Sequence, residues 1–291
     1  MAARPQLPVL VVENDLIAPI GMLDGWLRAA GAELVMCSPA TGQPLPADLG
    51  GYSALVVLGG GMGAYDDERA AWLPQLRQLL AEAVRTELPT LGVCLGAQLL
   101  AAATGGRVRP ADTPEYGSQL VAKRQAAAAD PLLREVPITP DVLQWHVDEI
   151  SELPPGAVLL ASSPVCEVQA FRIGRLAWGL QFHIETTPEI VALWAEHDAE
   201  LLQDYDLPAI LERSARAHPD IVEVWQPVVA AFVGLAADPA AAGPPAGAGP
   251  RLLPMAGAGS VTTTAGPITD AAAIRAALAA ELQASREPPG H

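Results

Sequence analysis

Basic residues and long apolar runs are both scarce in this chain of 291 residues. It carries 17 Lys and Arg against 33 Asp and Glu, which gives a formal net charge of −16 at pH 7. Nucleic-acid binding needs clustered Lys and Arg that neutralise phosphates, so we expect no nucleic-acid partner and a solvated acidic surface. No uncharged apolar stretch is long enough to span a bilayer, and the short N-terminal apolar run lacks a cleavage-site pattern. We therefore expect no membrane association.

Cysteine is also scarce, because only Cys37, Cys94 and Cys166 are present. An odd and sparse count fits a reducing compartment better than a disulfide framework, so we expect a cytoplasmic protein. Neither C-x-x-C nor H-E-x-x-H occurs, and we expect no metal site on that ground. Cys37 lies in an apolar, strand-like run and is expected to be a small buried residue.

The chain does contain a cysteine between two glycines, at the end of a predicted strand. The stretch GVCLGAQ, 92–98, follows the mostly apolar run 88–91 and precedes the small, helix-like series 99–103. This pattern is typical of a nucleophile elbow, a turn so tight that only small residues fit beside the nucleophile. A thiol at a helix N-terminus favours its reactive thiolate form. The alternative is a structural cysteine buried in a small-residue turn.

A partner base is indicated by LAWGLQFHIE, 176–185, which predicts a strand ending in His183 and Glu185. Side chains at i and i+2 of a strand point to the same face, so these two should lie side by side. Cysteine, histidine and carboxylate supply a nucleophile, a proton carrier and a group that orients the imidazole. A lone histidine would more simply be a core residue, but two matching strand ends favour catalysis.

Strands and helices alternate in the first third of the chain, which predicts a doubly wound, mostly parallel α/β sheet. Strands are expected at 7–12, 33–37, 54–58 and 88–93, and helices at 19–30 and 71–85. In such sheets, ligands bind at the carboxyl ends of the strands. The middle of the chain predicts an antiparallel extension of this sheet, with strands at 118–123, 141–145, 158–162, 167–173 and 176–182. A helix over 187–198 and one or two helices over 208–237 should follow.

Composition changes abruptly after Ala237, which predicts a globular domain over 1–237. Ala, Gly and Pro dominate 238–268, and this segment is expected to be a linker without fixed structure. In the tail, 269–291, Thr269 or Asp270 could cap a short helix over 271–283, with a frayed tail as the simpler alternative.

GVCLGAQLLA together with WGLQFHIE resembles the class I (triad-type) glutamine amidotransferases. ALVVLGGGMGAYDD, 54–67, is similar to the glycine loop of the GMP-synthase-like branch, and EYGSQLV and QWHVDEISELPPGAVLLASS follow in the expected order. The resemblance covers roughly residues 7–196. It implies that family's flavodoxin-like fold, hydrolysis of the glutamine side-chain amide to glutamate and ammonia through a thioester, and no cofactor.

The same resemblance implies a role for each site residue. Cys94 would attack the amide, His183 would carry protons and Glu185 would orient the imidazole. The backbone N–H groups of Gly60 and Leu95 would bind the oxyanion. Substrate contacts are expected from a further set of loop, helix and strand residues: Gly61, Met62, Gln98, His146 and Val147.

Several residues keep an alternative interpretation. Taken alone, Gln98 could be an exposed helix residue, and a structural role suits His146 as well as substrate contact. The remaining histidines, His197, His218 and His291, are interpreted as surface residues.

The motifs depart from the family pattern at three positions. Ile184 stands where many relatives have proline, and Val147 where they often have glycine. Gly61 replaces the proline of the G-G-P loop of close relatives, which predicts a more mobile oxyanion loop. With Ile184 in place of proline, His183 and Glu185 keep their i, i+2 spacing.

Three functions compete. Nothing after Ala237 is long or regular enough for a synthetase domain, so an amidotransferase would pass ammonia to a separate synthetase chain. A free-standing hydrolase of γ-glutamyl amides would need no acceptor. The third possibility, which the departures at Ile184 and Val147 suggest, is a catalytically weak binding or regulatory homologue. A relative of the intracellular-protease type is disfavoured, because that group typically has histidine where Leu95 follows the cysteine.

Overall fold

A computed structural model describes residues 8–243, so the tail, His291 and the linker beyond Gly243 lie outside the described residues. Residues 239–242, at the start of the predicted linker, form a short 3₁₀ turn. The described chain consists of ten strands and five α-helices, in this order: β1 (Val9–Val12), α1 (Met22–Ala29), β2 (Leu34–Cys37), β3 (Ala54–Val57), α2 (Leu73–Arg85), β4 (Thr90–Val93), α3 (Leu95–Ala103), β5 (Arg107–Leu120), β6 (Ala122–Lys123), β7 (Asp141–Glu152), β8 (Val158–Ser162), β9 (Ala170–Ile173), β10 (Ala177–Leu180), α4 (Pro188–His197) and α5 (Leu207–Ala237).

The central sheet has eight strands in the order β2-β1-β3-β4-β10-β9-β8-β6. The first five strands in that order are parallel to their neighbours. From β10 onward the pairing is antiparallel through β9, β8 and β6. The predicted doubly wound, mostly parallel sheet with an antiparallel extension is therefore confirmed, and the parallel part has the 2-1-3-4-5 order of flavodoxin-like folds.

β5 and β7 do not join that extension. They pair with each other as a separate two-stranded antiparallel sheet, in which Glu115 lies opposite His146. β5 also begins at Arg107 instead of Ser118, so the prediction was wrong in both respects. Proline and polar residues dominate its first half, so the alternating apolar pattern that predicts a strand is absent there. The register with β7 also shifts between Pro110 and Glu115.

β10 ends at Leu180, and the prediction that this strand reaches Glu185 was wrong. His183 instead forms an isolated antiparallel bridge with Leu143 of β7, with N–H···O distances of 2.8 and 3.2 Å. The chain therefore changes partner after β10, from the central sheet to the two-stranded sheet. This change places His183 where the two sheets meet.

α5 is a single helix that contains Pro219 and Pro227. By length and composition it could cross a membrane, but its apolar face, which includes Trp225 and Phe232, is buried in the core. His218 on this face is also buried, so its assignment to the surface was wrong. Its ring nitrogens lie 2.7 Å from the Ser214 carbonyl oxygen and 3.3 Å from the Thr186 hydroxyl.

The predicted tight turn between β4 and α3 is confirmed by the packing around its glycines. A Cβ atom on Gly92 would lie 2.5 Å from the carbonyl oxygen of Gly96. A Cβ atom on Gly96 would collide with the carbonyl group of Val57 in β3. Neither position has room for a side chain, since α3 packs directly on the sheet. Cys37 in β2 is buried, as predicted.

Replacing Gly96 with alanine should destabilise the fold. The new methyl group would push α3 away from β3, and overpacking of this kind costs about 1–3 kcal/mol. Gly234→Ala is the matched control, because Gly234 also lies in a helix but has no atom within 4 Å of an added Cβ. Urea unfolding should show a lower free energy for Gly96→Ala and an unchanged or higher one for the control. Equal values for the two variants would contradict the packing argument.

Candidate active site

Cys94 lies at the turn between β4 and α3 with a backbone conformation that is unfavourable for any residue except glycine. Its φ is 50° and its ψ is −108°, and such strain costs about 1–3 kcal/mol. Both of its backbone groups are held, since its N–H donates to the Leu180 carbonyl at 2.7 Å and its carbonyl accepts from the Gln98 N–H at 3.0 Å. Cys94 is only 7% exposed, and it lines a cavity.

His183 and Glu185 lie side by side as the sequence predicts. His183 Nδ1 is 2.6 Å from Glu185 Oε1, and Glu185 Oε2 accepts the backbone N–H of Ile184 at 2.9 Å. The carbonyl of Glu185 accepts the Met22 N–H at the start of α1, which fixes the backbone there. The contact with the carboxylate assigns a proton to Nδ1 and directs Nε2 of the imidazole to other groups.

Cys94 and His183 lie close to each other beside Gly59. A Cβ atom on Gly59 would lie 3.1 Å from His183 Cε1 and 3.7 Å from Cys94 Cβ, so the glycine leaves room for both. Burial by itself lowers the pKa of His183, but the Glu185 carboxylate and the Cys94 sulfur outweigh burial and raise that pKa well above its usual value. The arrangement can therefore keep an imidazolium beside the sulfur at neutral pH.

A cavity of about 200 Å³ opens above the sulfur. Of the residues predicted at the site, eight line this Cys94 cavity: Gly60, Gly61, Met62, Cys94, Gln98, His146, Val147 and His183. Leu95 and Glu185 are not among the lining residues. The structure thus brings together segments that lie far apart in the sequence.

Gln98 is buried, so the alternative of an exposed helix residue was wrong. Its Nε2 donates to the Asp148 carbonyl at 3.1 Å and lies 3.3 Å from Gln181 Oε1. Gln181 Nε2 in turn is 3.9 Å from Cys94 Sγ. Gln181 was missed by the sequence analysis, although a glutamine within the apolar run 176–182 was the available signal. Contact between Gln98 and a substrate stays a prediction.

His146 and Val147 occupy different depths of the cavity wall. Val147 is 46% exposed at its rim, whereas His146 is buried. His146 Nδ1 is 3.0 Å from the Asp148 carbonyl oxygen, and its Nε2 is 3.2 Å from Glu115 Oε2. His146 therefore has structural contacts, while its contact with a substrate stays a prediction.

The glycine loop is held by two charged side chains that the sequence analysis missed. The Gly61 N–H donates to Asp15 Oδ2 at 3.1 Å, and Arg69 Nη1 donates to the Gly61 carbonyl at 3.0 Å. These bonds restrain the position at which close relatives often have proline. A signal for Asp15 existed, because it follows the predicted end of β1, where ligands bind in this class of sheet.

An aromatic wall, formed by Tyr116, Trp145 and Trp194, closes one side of the Cys94 cavity. The rings of Tyr116 and Trp145 are 5.3 Å apart, and those of Trp145 and Trp194 are 5.8 Å apart. Trp145 Nε1 donates to Asp198 Oδ2 at 2.8 Å. Each ring comes from a different segment, so no local pattern predicted this wall.

The sequence of this chain matches one protein family and several known proteins. The model of the family "Glutamine amidotransferase class-I" matches residues 30–198. The glutamine-hydrolysing GMP synthase of Porphyromonas gingivalis is 37% identical over 142 residues, which are 48% of this chain and 26% of that protein. One subunit of the glutamine-hydrolysing GMP synthase of Methanococcus vannielii is 37% identical over 106 residues, which are 36% of this chain and 54% of that protein.

A solved structure has a similar fold. The glutamine amidotransferase from Thermotoga maritima superposes with a TM-score of 0.70 at 30% sequence identity, covering 81% of this chain and 100% of that one. The chain spans about a quarter of one of the curated relatives named above and about half of the other. The resemblance to GMP-synthase-like amidotransferases is confirmed, and this chain belongs to the class I glutamine amidotransferase family.

Proposed function

We propose that this chain is a glutaminase that hydrolyses the side-chain amide of L-glutamine with Cys94, His183 and Glu185 as a catalytic triad. The observation that supports it best is the buried imidazole of His183, which contacts the Glu185 carboxylate on one side and Cys94 on the other. Nucleophile, proton carrier and orienting carboxylate are the three parts that an activated thiol requires. The mechanism needs no cofactor.

The proposed reaction has two stages. The Cys94 thiolate attacks the amide carbonyl carbon, and the imidazolium of His183 protonates the leaving nitrogen, so that ammonia departs and a thioester remains. His183, now neutral, then takes a proton from water as the water attacks the thioester. Collapse of the second tetrahedral intermediate releases glutamate and returns the proton to the Cys94–His183 pair.

We assign the oxyanion to two backbone N–H groups. Leu95 is the first residue of α3, where a backbone N–H has no partner within the helix, and it directly follows the nucleophile. Gly60 lines the cavity close to Leu95, whose Cδ2 atom would lie 3.2 Å from a Cβ on Gly60. The Gly61 N–H is already engaged by Asp15, which leaves Gly60 as the loop donor. In other enzymes one such donor is worth about 2.7–4 kcal/mol.

The proposed fate of the ammonia is transfer to a separate synthetase chain in the cytoplasm. The relative from Methanococcus vannielii supports this, because its name describes one subunit of a glutamine-hydrolysing GMP synthase. We propose only the class of acceptor, which is a synthetase that consumes ammonia.

A second candidate function is hydrolysis of other γ-glutamyl amides without an acceptor protein. The aromatic wall favours it, since ammonia is a small polar leaving group and makes no use of three large rings. A substrate with an apolar amine could bury that group against Tyr116, Trp145 and Trp194. A catalytically weak homologue is the remaining alternative.

Cys94→Ala should remove glutamate release from L-glutamine. Loss of the nucleophile should lower kcat by more than about 10³-fold, because the remaining residues cannot form the thioester. Cys37→Ala is the control, since Cys37 is buried in β2 and does not line the cavity. Undiminished turnover in Cys94→Ala, or no turnover and no Cys94 adduct in the unmodified chain, would count against the proposal.

Glu185→Gln should shift the pH dependence of kcat/KM. The carboxylate raises the pKa of His183, so its removal should move the alkaline limb to lower pH by roughly 1–3 units. The rate should also fall, because the amide holds the imidazole less well in its catalytic tautomer. Glu189→Gln on the exposed start of α4 is the control and should leave the limb in place. An unshifted limb in Glu185→Gln would refute the role of the carboxylate.

Turnover on a panel of γ-glutamyl amides distinguishes the two enzymatic candidates. A glutaminase that serves a synthetase should act slowly and prefer L-glutamine. A free-standing hydrolase should act quickly on amides with large apolar amines, and Trp194→Ala should raise KM for these more than for glutamine. The ratio of kcat/KM between an aromatic amide and glutamine is the quantity to measure.

A further inference from the structure

A second cluster of reactive side chains lies at the wall of the Cys94 cavity, which one of its members, His146, also lines. Glu115 of β5, His146 of β7 and Cys166 of the segment between β8 and β9 each offer a ligand atom, and these atoms lie within 4.8 Å of one another. All three residues are buried. The proposed triad uses none of them. Their sequence positions have no fixed ligand spacing, so a search for metal-binding motifs could not find them.

The imidazole of His146 is oriented as in metal sites. Its Nδ1 is 3.0 Å from the Asp148 carbonyl oxygen, so that nitrogen is the hydrogen-bond donor. Nε2 is buried, faces the cluster and has no hydrogen-bond partner, although Glu115 Oε2 lies 3.2 Å away. A histidine that donates one ring N–H to a carbonyl presents its other nitrogen as a ligand.

The carboxylate of this cluster is not neutralised by a lysine or arginine of the described residues. Glu115 is 2% exposed and accepts a hydrogen bond from Gln169 Nε2 at 2.8 Å, but no Lys or Arg within 8–243 forms an ion pair with it. Glu149, which follows in β7, is itself paired with Arg109 at 2.7 Å. A buried carboxylate, thiol and imidazole form a set of ligand groups that a cation would stabilise.

We propose that Glu115, His146 and Cys166 bind a zinc ion. Zinc favours nitrogen, sulfur and carboxylate oxygen ligands. The separation of 3.2 Å between His146 Nε2 and Glu115 Oε2 matches the roughly 3.3 Å expected between such ligands of a tetrahedral zinc ion. On binding, the Cys166 thiol releases its proton to solvent and the thiolate bonds to the metal.

The ion would link three segments that form one wall of the Cys94 cavity. His146 is adjacent to Trp145, whose carbonyl oxygen lies 3.9 Å from Cys94 Sγ, and Glu115 is adjacent to Tyr116 of the aromatic wall. Cross-strand pairing of Glu115 with His146 brings two of the ligands together. The site would therefore fix the position of that wall without touching the reacting atoms.

Cobalt titration of the Cys37→Ser/Cys94→Ser chain tests the proposal, because Cys166 is then the only cysteine left and the nucleophile cannot bind metal. Co²⁺ should give the near-ultraviolet charge-transfer band of a thiolate–cobalt bond, with one ion bound per chain. Zinc should displace the cobalt, abolish the band and raise the midpoint of thermal unfolding. Absence of the band in this folded chain would overturn the proposal by itself.

Two further variants assign the ligands. Adding Cys166→Ser to the same background should abolish the band, and adding Glu115→Gln should weaken cobalt binding by more than about 10-fold. Glu152→Gln, an exposed residue at the end of β7, is the matched control and should leave binding unchanged. A band that survives in Cys166→Ser, or an equal affinity in Glu115→Gln and Glu152→Gln, would refute the assignment. The measurement uses a chain without Cys94, so it is independent of glutaminase activity.

Discussion

The backbone of Cys94 is held at a strained, positive φ of 50°, and the rest of the site is arranged around that constraint. The strain persists because β4 is paired on both sides and α3 packs on the sheet through Gly92 and Gly96. A buried turn of this kind cannot relax without separating the helix from the sheet. The thiol therefore projects from the carboxyl end of the parallel strands, where the adjacent cavity is lined by loops that the sheet positions.

Charge is the second determinant of the site. His183 is buried, and burial disfavours its charged form, yet the Glu185 carboxylate and the Cys94 sulfur raise its pKa and reverse that preference. The geometry that makes this coupling strong depends on the change of partner after β10, which pairs His183 with Leu143 of β7. An uninterrupted strand would have continued along the central sheet. The two sheets meet at the imidazole for this reason.

β7 contributes residues to both faces of the wall of the Cys94 cavity. One face carries the Trp145 ring and carbonyl group toward Cys94, and His146 contacts Glu115 of β5 behind them. The side-chain amide of Gln98 bonds to the Asp148 carbonyl and so ties the end of this segment to α3. A displacement of β7 would consequently disturb the nucleophile, the cavity and the buried cluster together, which gives the proposed zinc ion a structural purpose.

The sequence by itself determined the features that depend on neighbouring residues. The turn at 92–96 and the adjacency of His183 and Glu185 follow from short-range geometry, and the alternation of elements predicted the parallel sheet. Only the tertiary structure decided that β5 and β7 form their own sheet, that Gln98 is buried, and that Glu115 meets His146 and Cys166. Periodicity tells which residues avoid water, but hydrogen bonds and ligand clusters depend on which distant segments meet, and that is settled by packing of the whole chain.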